Sequence, residues 1–166
     1  MSLTREIMIY LDAQVTGASW TSTGAWRIVA NEFLPGSIGG STQAQQICVT
    51  PTGGFNQEYA EALTYPTFQV RVRGSSTGST GTDAGRLTGA EAKMGEVVSV
   101  LNLLGRKTLA NITSTSLAYA IGTPGQTGDR VYLDILQQGD LLFIGRDELQ
   151  RPMYAANFMA LRSRTT

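Results

Sequence analysis

"YPTFQVRVRGSSTGSTGTDAGR", residues 65–86, changes character at its midpoint. Phe68, Val70 and Val72 alternate with Gln69, Arg71 and Arg73. In an extended chain the first three share one face and the other three share the opposite one. This pattern predicts a strand over Thr67–Arg73, with one packed face and one polar face. From Gly74 to Leu87 there are four glycines, three serines and three threonines, which leave little to pack. That composition predicts a flexible arm at about 74–87. Arg71 and Arg73 fit the solvated face of an antiparallel sheet, a phosphate backbone, or the acids of a neighbouring subunit.

Charge bears on that choice. The chain has 166 residues, enough for one domain with its own core. Lys+Arg and Asp+Glu are 13 each, and charged residues make up 16% of the sequence, against about 25% in an average domain. A neutral, weakly charged surface has little electrostatic force keeping copies apart. It favours protein contacts and disfavours a dedicated nucleic-acid binder, which needs a basic excess to displace counterions. Of the two functional readings of the arginines, a subunit interface is therefore the better.

Chemistry is poorly provided for. The absence of histidine removes the commonest general base and metal ligand. Cys48 is the single cysteine; between Ile47 and Val49 it reads as a buried small hydrophobe rather than a reactive thiol. "GSSTGSTGTDAGR" lacks the Gly-Lys pair of a phosphate loop. Asp129, Asp134, Asp140, Asp147 and Glu148 are scattered, without metal-ligand spacing. No catalytic residue, metal or cofactor is implied. No apolar run approaches the roughly 20 residues that span a bilayer. "MSLTREIMIYLDAQ" reads as an amphipathic helix rather than a signal peptide. The expectation is a non-enzymatic protein of the cytosol with no membrane partner.

Working outward, Leu3, Ile7, Met8, Leu11 and Val15 fall on one face of a helix over Thr4–Val15, stopped by Gly17. Trp26, Ile28 and Phe33 are expected to make short packed contacts. "AQQICVT" reads as a short strand ended by Pro51. "PTGGFNQEYAEALTY" reads as a loop whose Phe55, Tyr59 and Leu63 are apolar enough to fold back or to meet a partner. "TGAE" puts Thr88 at an N-cap with Glu91 three residues on, a capping box. Ala90, Met94, Val97, Val98, Leu101 and Leu104 then line one face of the helix. Gly89 and Gly95 suit a helix backbone lying close to a sheet. Further strands are expected at Ser116–Ile121, Tyr132–Leu136, Leu141–Ile144 and Met153–Leu161. Together these predict a single α+β domain over 1–166. Its mixed, mainly antiparallel sheet is packed by two helices and joined by long loops.

Three stretches carry a resemblance: "YPTFQVRVRG" (65–74), "TGAEAKMGEVVSVLNLLG" (88–105) and "FIGRDELQRPMYAANFMALR" (143–162). An alternating Q-x-R-x-R-G strand is followed by a long helix, a Gly-Arg-Asp turn and a strand containing Asn-Phe. In this order the chain resembles the tail terminator, or tail completion, proteins of long-tailed bacteriophages. The resemblance implies a virion protein, assembled in the host cytoplasm, that forms a usually six-fold ring at the head–tail interface. The ring would cap the tail tube, stop its growth and receive the head connector or stopper protein, while DNA passes unread through the lumen. It implies that Gln69, Arg71 and Arg73 face a neighbouring subunit or the lumen. It also implies that Phe55, Tyr59, Leu63, Gly74, Gly78, Gly81, Asp83 and Arg86 lie on loops that touch partners. Another head–tail joining protein, or a tail tube subunit, is the alternative.

Overall fold

The computed structural model describes residues 3–20, 25–34, 45–55, 63–75, 83–102 and 132–163. In chain order these form α1 (Leu3–Gln14), β1 (Ala18–Ser19), β2 (Trp26–Ala30), β3 (Gln46–Phe55), β4 (Leu63–Arg73), α2 (Asp83–Asn102), β5 (Tyr132–Arg146) and β6 (Pro152–Ser163). One six-stranded sheet has the order β1-β2-β3-β4-β6-β5. β1, β2 and β3 run parallel, and the pairings β3–β4, β4–β6 and β6–β5 are antiparallel. This is the α+β, mixed-sheet, two-helix architecture that the sequence implies.

Register puts the apolar alternates of neighbouring strands in line. Phe68 lies opposite Phe158, Val70 opposite Ala156 and Val49, and Val72 opposite Tyr154 and Ile47. All belong to one buried cluster with Ile7 and Leu11 of α1 and Met94, Val97 and Leu101 of α2, so both helices cover this face. Phe68 and Phe158 stack with ring centroids 5.3 Å apart. Such a pair adds about 1 kcal/mol beyond its buried area.

α1 buries more than the expected stripe, because Glu6, Ile9 and Tyr10 are buried as well. It packs against α2 as well as the sheet: the Tyr10 hydroxyl donates to the Val100 carbonyl (3.2 Å). Just past α1, the Thr16 N–H donates to Glu96 (2.7 Å), while Lys93 donates to the Thr16 carbonyl (2.8 Å) and pairs with Glu96 (2.5 Å).

Several boundaries differ from the sequence reading. Trp26 and Ile28 lie in a true strand, β2, parallel to β3. Pro51 does not end β3. β2 pairs with β3 only as far as Val49, so Pro51 has a free flank where a missing N–H is tolerated. A bulge between Pro51 and Gly53 then carries the strand on to Phe55. The long loop between β3 and β4 is accordingly shorter, since Phe55 pairs with Tyr65 and Leu63 with Ser163. α2 begins at Asp83, so Thr88 and Glu91 stand inside the helix and form no capping box at its start. Gly89 and Gly95 face open space, not the sheet. The two strands expected at Tyr132–Leu136 and Leu141–Ile144 are one strand, interrupted by an irregularity between Gln138 and Leu142 where Gly139 has φ +80°. Leu104, the helix stop at Gly105 and the strand expected at Ser116–Ile121 lie outside the described residues.

Two glycine substitutions should shift stability in opposite directions. Gly95→Ala adds a methyl group in open space on a helix and should stabilise by about 0.5–1 kcal/mol. Gly54, at φ +133°, would drive a Cβ into the Tyr65 carbonyl oxygen and the Pro66 Cα, which are backbone atoms that cannot turn away. Gly54→Ala should cost about 2 kcal/mol or more. Thermal unfolding of the two variants measures both signs.

Glu96 supplies a pH dependence. Partial burial pushes its carboxyl up, but the bonds from Lys93 and Thr16 outweigh this and hold it below the ordinary value of 4.5. The folded state therefore binds this proton less readily than the unfolded chain. The contribution is complete above the ordinary value and is lost as pH falls through the lower, folded one. Glu96→Gln should lower stability at neutral pH and flatten its fall below about pH 4.5, read from urea midpoints across pH.

Candidate functional site

The second face of the sheet carries the polar alternates of β4, and here the structure brings together residues distant in sequence. Arg71 lies opposite Cys48 of β3 and Ala155 of β6; Arg73 lies opposite Gln46 and Met153. Gln69 donates to Asn157 of β6 (3.0 Å). This face is only partly open. The segment that leaves β2, residues 31–34, crosses it and is held by side chains rising from the sheet.

The hold is specific. The Asn31 N–H donates to the Val49 carbonyl (2.9 Å), which sets the segment leaving β2 against β3. Asn31 adopts φ +65°, a left-handed conformation that asparagine tolerates better than most residues. Arg71 Nη2 and the Thr50 hydroxyl both donate to the Asn31 carbonyl (2.7 and 3.0 Å). Arg73 Nη2 donates to the Leu34 carbonyl (2.9 Å). The Gln46 side chain grips Leu34 twice: its Oε1 accepts from the Leu34 N–H (2.9 Å) and its Nε2 donates to the Leu34 carbonyl (3.3 Å). Between them the Phe33 ring lies 5.2 Å from the Arg71 guanidinium and 4.8 Å from that of Arg73, within cation–π range of both.

Beyond Arg73 the row continues to the β5–β6 turn. Asp147 Oδ1 accepts from the backbone N–H groups of Leu149 and Arg151 (both 3.0 Å), and Oδ2 accepts from Arg151 Nε (2.5 Å). The same oxygen stands 3.8 Å from Arg73 Nη1. One carboxylate thus folds the turn and faces two buried guanidiniums. Burial, reinforced by the charge of Arg151, pushes Arg73 down to about 10, against the opposing pull of Asp147.

The residues singled out from sequence therefore divide. Gln69, Arg71 and Arg73 do share a face, but each side chain bonds to its own chain, and Arg73 is only 4% exposed. An acid of the same subunit, Asp147, meets Arg73. Gly74 directly follows β4. It is buried, its N–H donates to the Pro152 carbonyl (2.8 Å), and a Cβ there would stand 3.0 Å from both Ala90 Cβ and Pro152 Cγ. Asp83 and Arg86 belong to the first turn of α2 instead of an arm, and Phe55 and Leu63 belong to paired strands. Tyr59, Gly78 and Gly81 lie outside the described residues. Sequence reasoning missed Asn31, Phe33, Leu34, Asp147 and Arg151 as members of one cluster. The signal for Asp147 was present in "GRDELQR", where an Asp followed four residues later by Arg suits a turn closed on the aspartate.

A second feature lies at the sheet's edge. β5 is 15 residues long and pairs only with β6 among the described residues. Leu136, Leu142, Phe143 and Ile144 are each between 44% and 52% exposed, as is Leu149 in the following turn. Leu136 and Leu142 lie opposite Met159 and Ala155, on the same face as Arg71. Phe143 rests against Tyr154 with centroids 5.2 Å apart.

No helix among the described residues is long and apolar enough to cross a membrane, and no group of three or more His, Cys, Asp or Glu there is placed to hold a metal ion. The chain matches no family model, and no curated protein is significantly similar to it.

The charge balance of the cluster gives a direct test. Asp147→Asn would take away the carboxylate that faces the two buried guanidiniums and should cost about 3–5 kcal/mol in urea unfolding. Arg73→Gln added to that variant should recover part of the loss, because it removes one of the two buried charges.

Proposed function

We propose that this chain is a structural subunit of a long-tailed bacteriophage, copies of which form a ring that ends the tail tube and receives the head connector. The observation that carries the reading is β5: a long outer strand with a free backbone edge among the described residues and a row of half-exposed leucine, phenylalanine and isoleucine. Soluble proteins usually blunt such edges with charge, proline or a covering segment, because unpaired N–H and C=O groups invite strand addition. An edge left apolar suits a surface that another copy covers. Contact between β5 and a different surface of the next copy is heterologous, and a contact of that kind forms a ring where its rotation closes. The zero net charge and low charge density remove the electrostatic penalty of packing many copies together. The three-part sequence resemblance supplies the tail-end role, the expected six-fold symmetry, the tube and connector partners, and the virion location.

Tube growth repeats one interface. Stopping it needs a ring that accepts the tube on one side and offers no tube-like surface on the other. A phage lacking this chain should therefore make filled heads and unattached tails, some of them overlong, in electron micrographs of lysates. Tails of normal length joined to heads would overturn the terminator role, and loss of all tails would point to a tube or initiator subunit. On the isolated protein, light scattering with and without tail tubes should show ring formation. Leu136→Glu with Leu142→Glu should abolish it with the melting temperature changed by no more than a few degrees, since both side chains are about half exposed.

A further inference from the structure

The sheet ends on two unlike strands. β5 at one end has 15 residues, and β1 at the other has two, Ala18–Ser19. β1 runs parallel to the start of β2, with Ala18 opposite Trp26 and Ser19 opposite Arg27. The Trp26 N–H donates to the Gly17 carbonyl (3.0 Å). Each helix adds a carboxylate to this corner. Glu96 of α2 accepts from the Thr16 N–H (2.7 Å), just before β1, and Asp12 of α1 accepts from the Trp20 N–H (3.0 Å), directly after it. Lys93 of α2 donates to the Thr16 carbonyl (2.8 Å), so α2 holds both backbone polar groups of that residue. A bond from a backbone N–H to a carboxylate is charge-assisted, roughly twice as strong as one to a neutral acceptor. The outermost strand is thus gripped on both sides by side chains of the two helices.

An open strand edge is a template for strand addition, and a very short outer strand is one way of closing it. We propose that Asp12 and Glu96 are a two-point clamp that keeps β1 over the edge of β2, and that the strand shut out is β5 of a second copy. β5 is the long outer strand with half-exposed leucines at the far end of the same sheet. Were the β2 edge open, β5 of one copy could extend the sheet of the next, and a head-to-tail contact whose rotation does not close grows into a filament. The clamp closes that route and leaves β5 to other surfaces of its neighbour. The identity of the excluded strand rests on reading the chain as an assembly subunit; the clamp itself does not.

The Trp26 amide, bonded to Gly17, reads the corner in the isolated protein by hydrogen exchange. Asp12 and Glu96 stand in helices, where alanine is the best-tolerated replacement. Asp12→Ala and Glu96→Ala should each speed Trp26 exchange about tenfold, as loss of one charge-assisted bond implies. That exchange should depend less on urea than exchange at Val70 of β4, which marks local opening rather than global unfolding. Asp12→Asn and Glu96→Gln keep an acceptor oxygen and should exchange more slowly than the alanine variants. In sedimentation, the double alanine variant should form open-ended species that lengthen with concentration, and adding Leu136→Glu with Leu142→Glu should return it to monomers. Unchanged Trp26 exchange in both single variants overturns the proposal, as does a urea dependence equal to that of Val70. Faster exchange in a natively folded double variant that stays closed or monomeric overturns it too, because the clamp then guards against no second copy. If the double variant loses its native circular dichroism, exchange in the single variants decides. Native protein that never forms rings, beside an open-ended double variant, would sink the ring reading and leave the clamp standing.

Discussion

Strand β4 has a neighbour on each edge and burial on each face, so almost every residue in its second half answers to two constraints at once. Phe68, Val70 and Val72 must fit between β3 and β6 and under the helices. Arg71 and Arg73 must pass through the same register and still find acceptors for their guanidinium groups, which cannot be left dry and unpaired without a large cost. The apolar face solves its part by volume, with the Phe68–Phe158 stack at its centre. The polar face solves its part by recruiting main chain: the carbonyls of Asn31 and Leu34 come down onto the sheet because the arginines need them. The position of the 31–34 segment thus follows from charges two strands away.

This dependence explains which parts of the fold were legible. The period-two pattern of Phe68, Val70 and Val72 and the helical spacing of Ala90, Met94, Val97 and Leu101 are local, and both mark the buried face correctly. The parallel pairing of β2 with β3 is not local. Trp26–Ala30 has too few residues to announce itself, and a parallel partner carries no hairpin turn to signal it. The start of α2 was obscured for another reason. Glycine, serine and threonine in residues 74–82 suggest a tether, and "TGAE" offers a plausible start five residues too late. Thr88 does sit three residues before Glu91, but a turn of helix already precedes it.

The polar cluster shows the same limit more sharply. An arginine at the end of an alternating strand normally stands in water, and nothing near Arg73 in sequence says otherwise. Its burial is made possible by Phe33, Leu34 and Gln46 on one side and by Asp147 on the other, residues between 27 and 74 positions away in the chain. Asp147 in turn reads as an ordinary turn acid, because its bonds to Leu149 and Arg151 look local until the register of β4, β6 and β5 places Arg73 beside it. Long-range electrostatic pairing has no periodicity to read.

The open face therefore presents two kinds of surface side by side, and they differ in what holds them. Toward β5 the side chains of Leu136 and Leu142 are exposed and held by little beyond their own strand, so covering them gains from water release without breaking any bond in the subunit. Toward β3 the guanidiniums of Arg71 and Arg73 hold the carbonyls of Asn31 and Leu34, so that side is tied down by the subunit's own chain. The two surfaces lie on one sheet, joined across β6 by the line of Leu142, Ala155 and Arg71. The apolar side can thus be covered without disturbing the polar one.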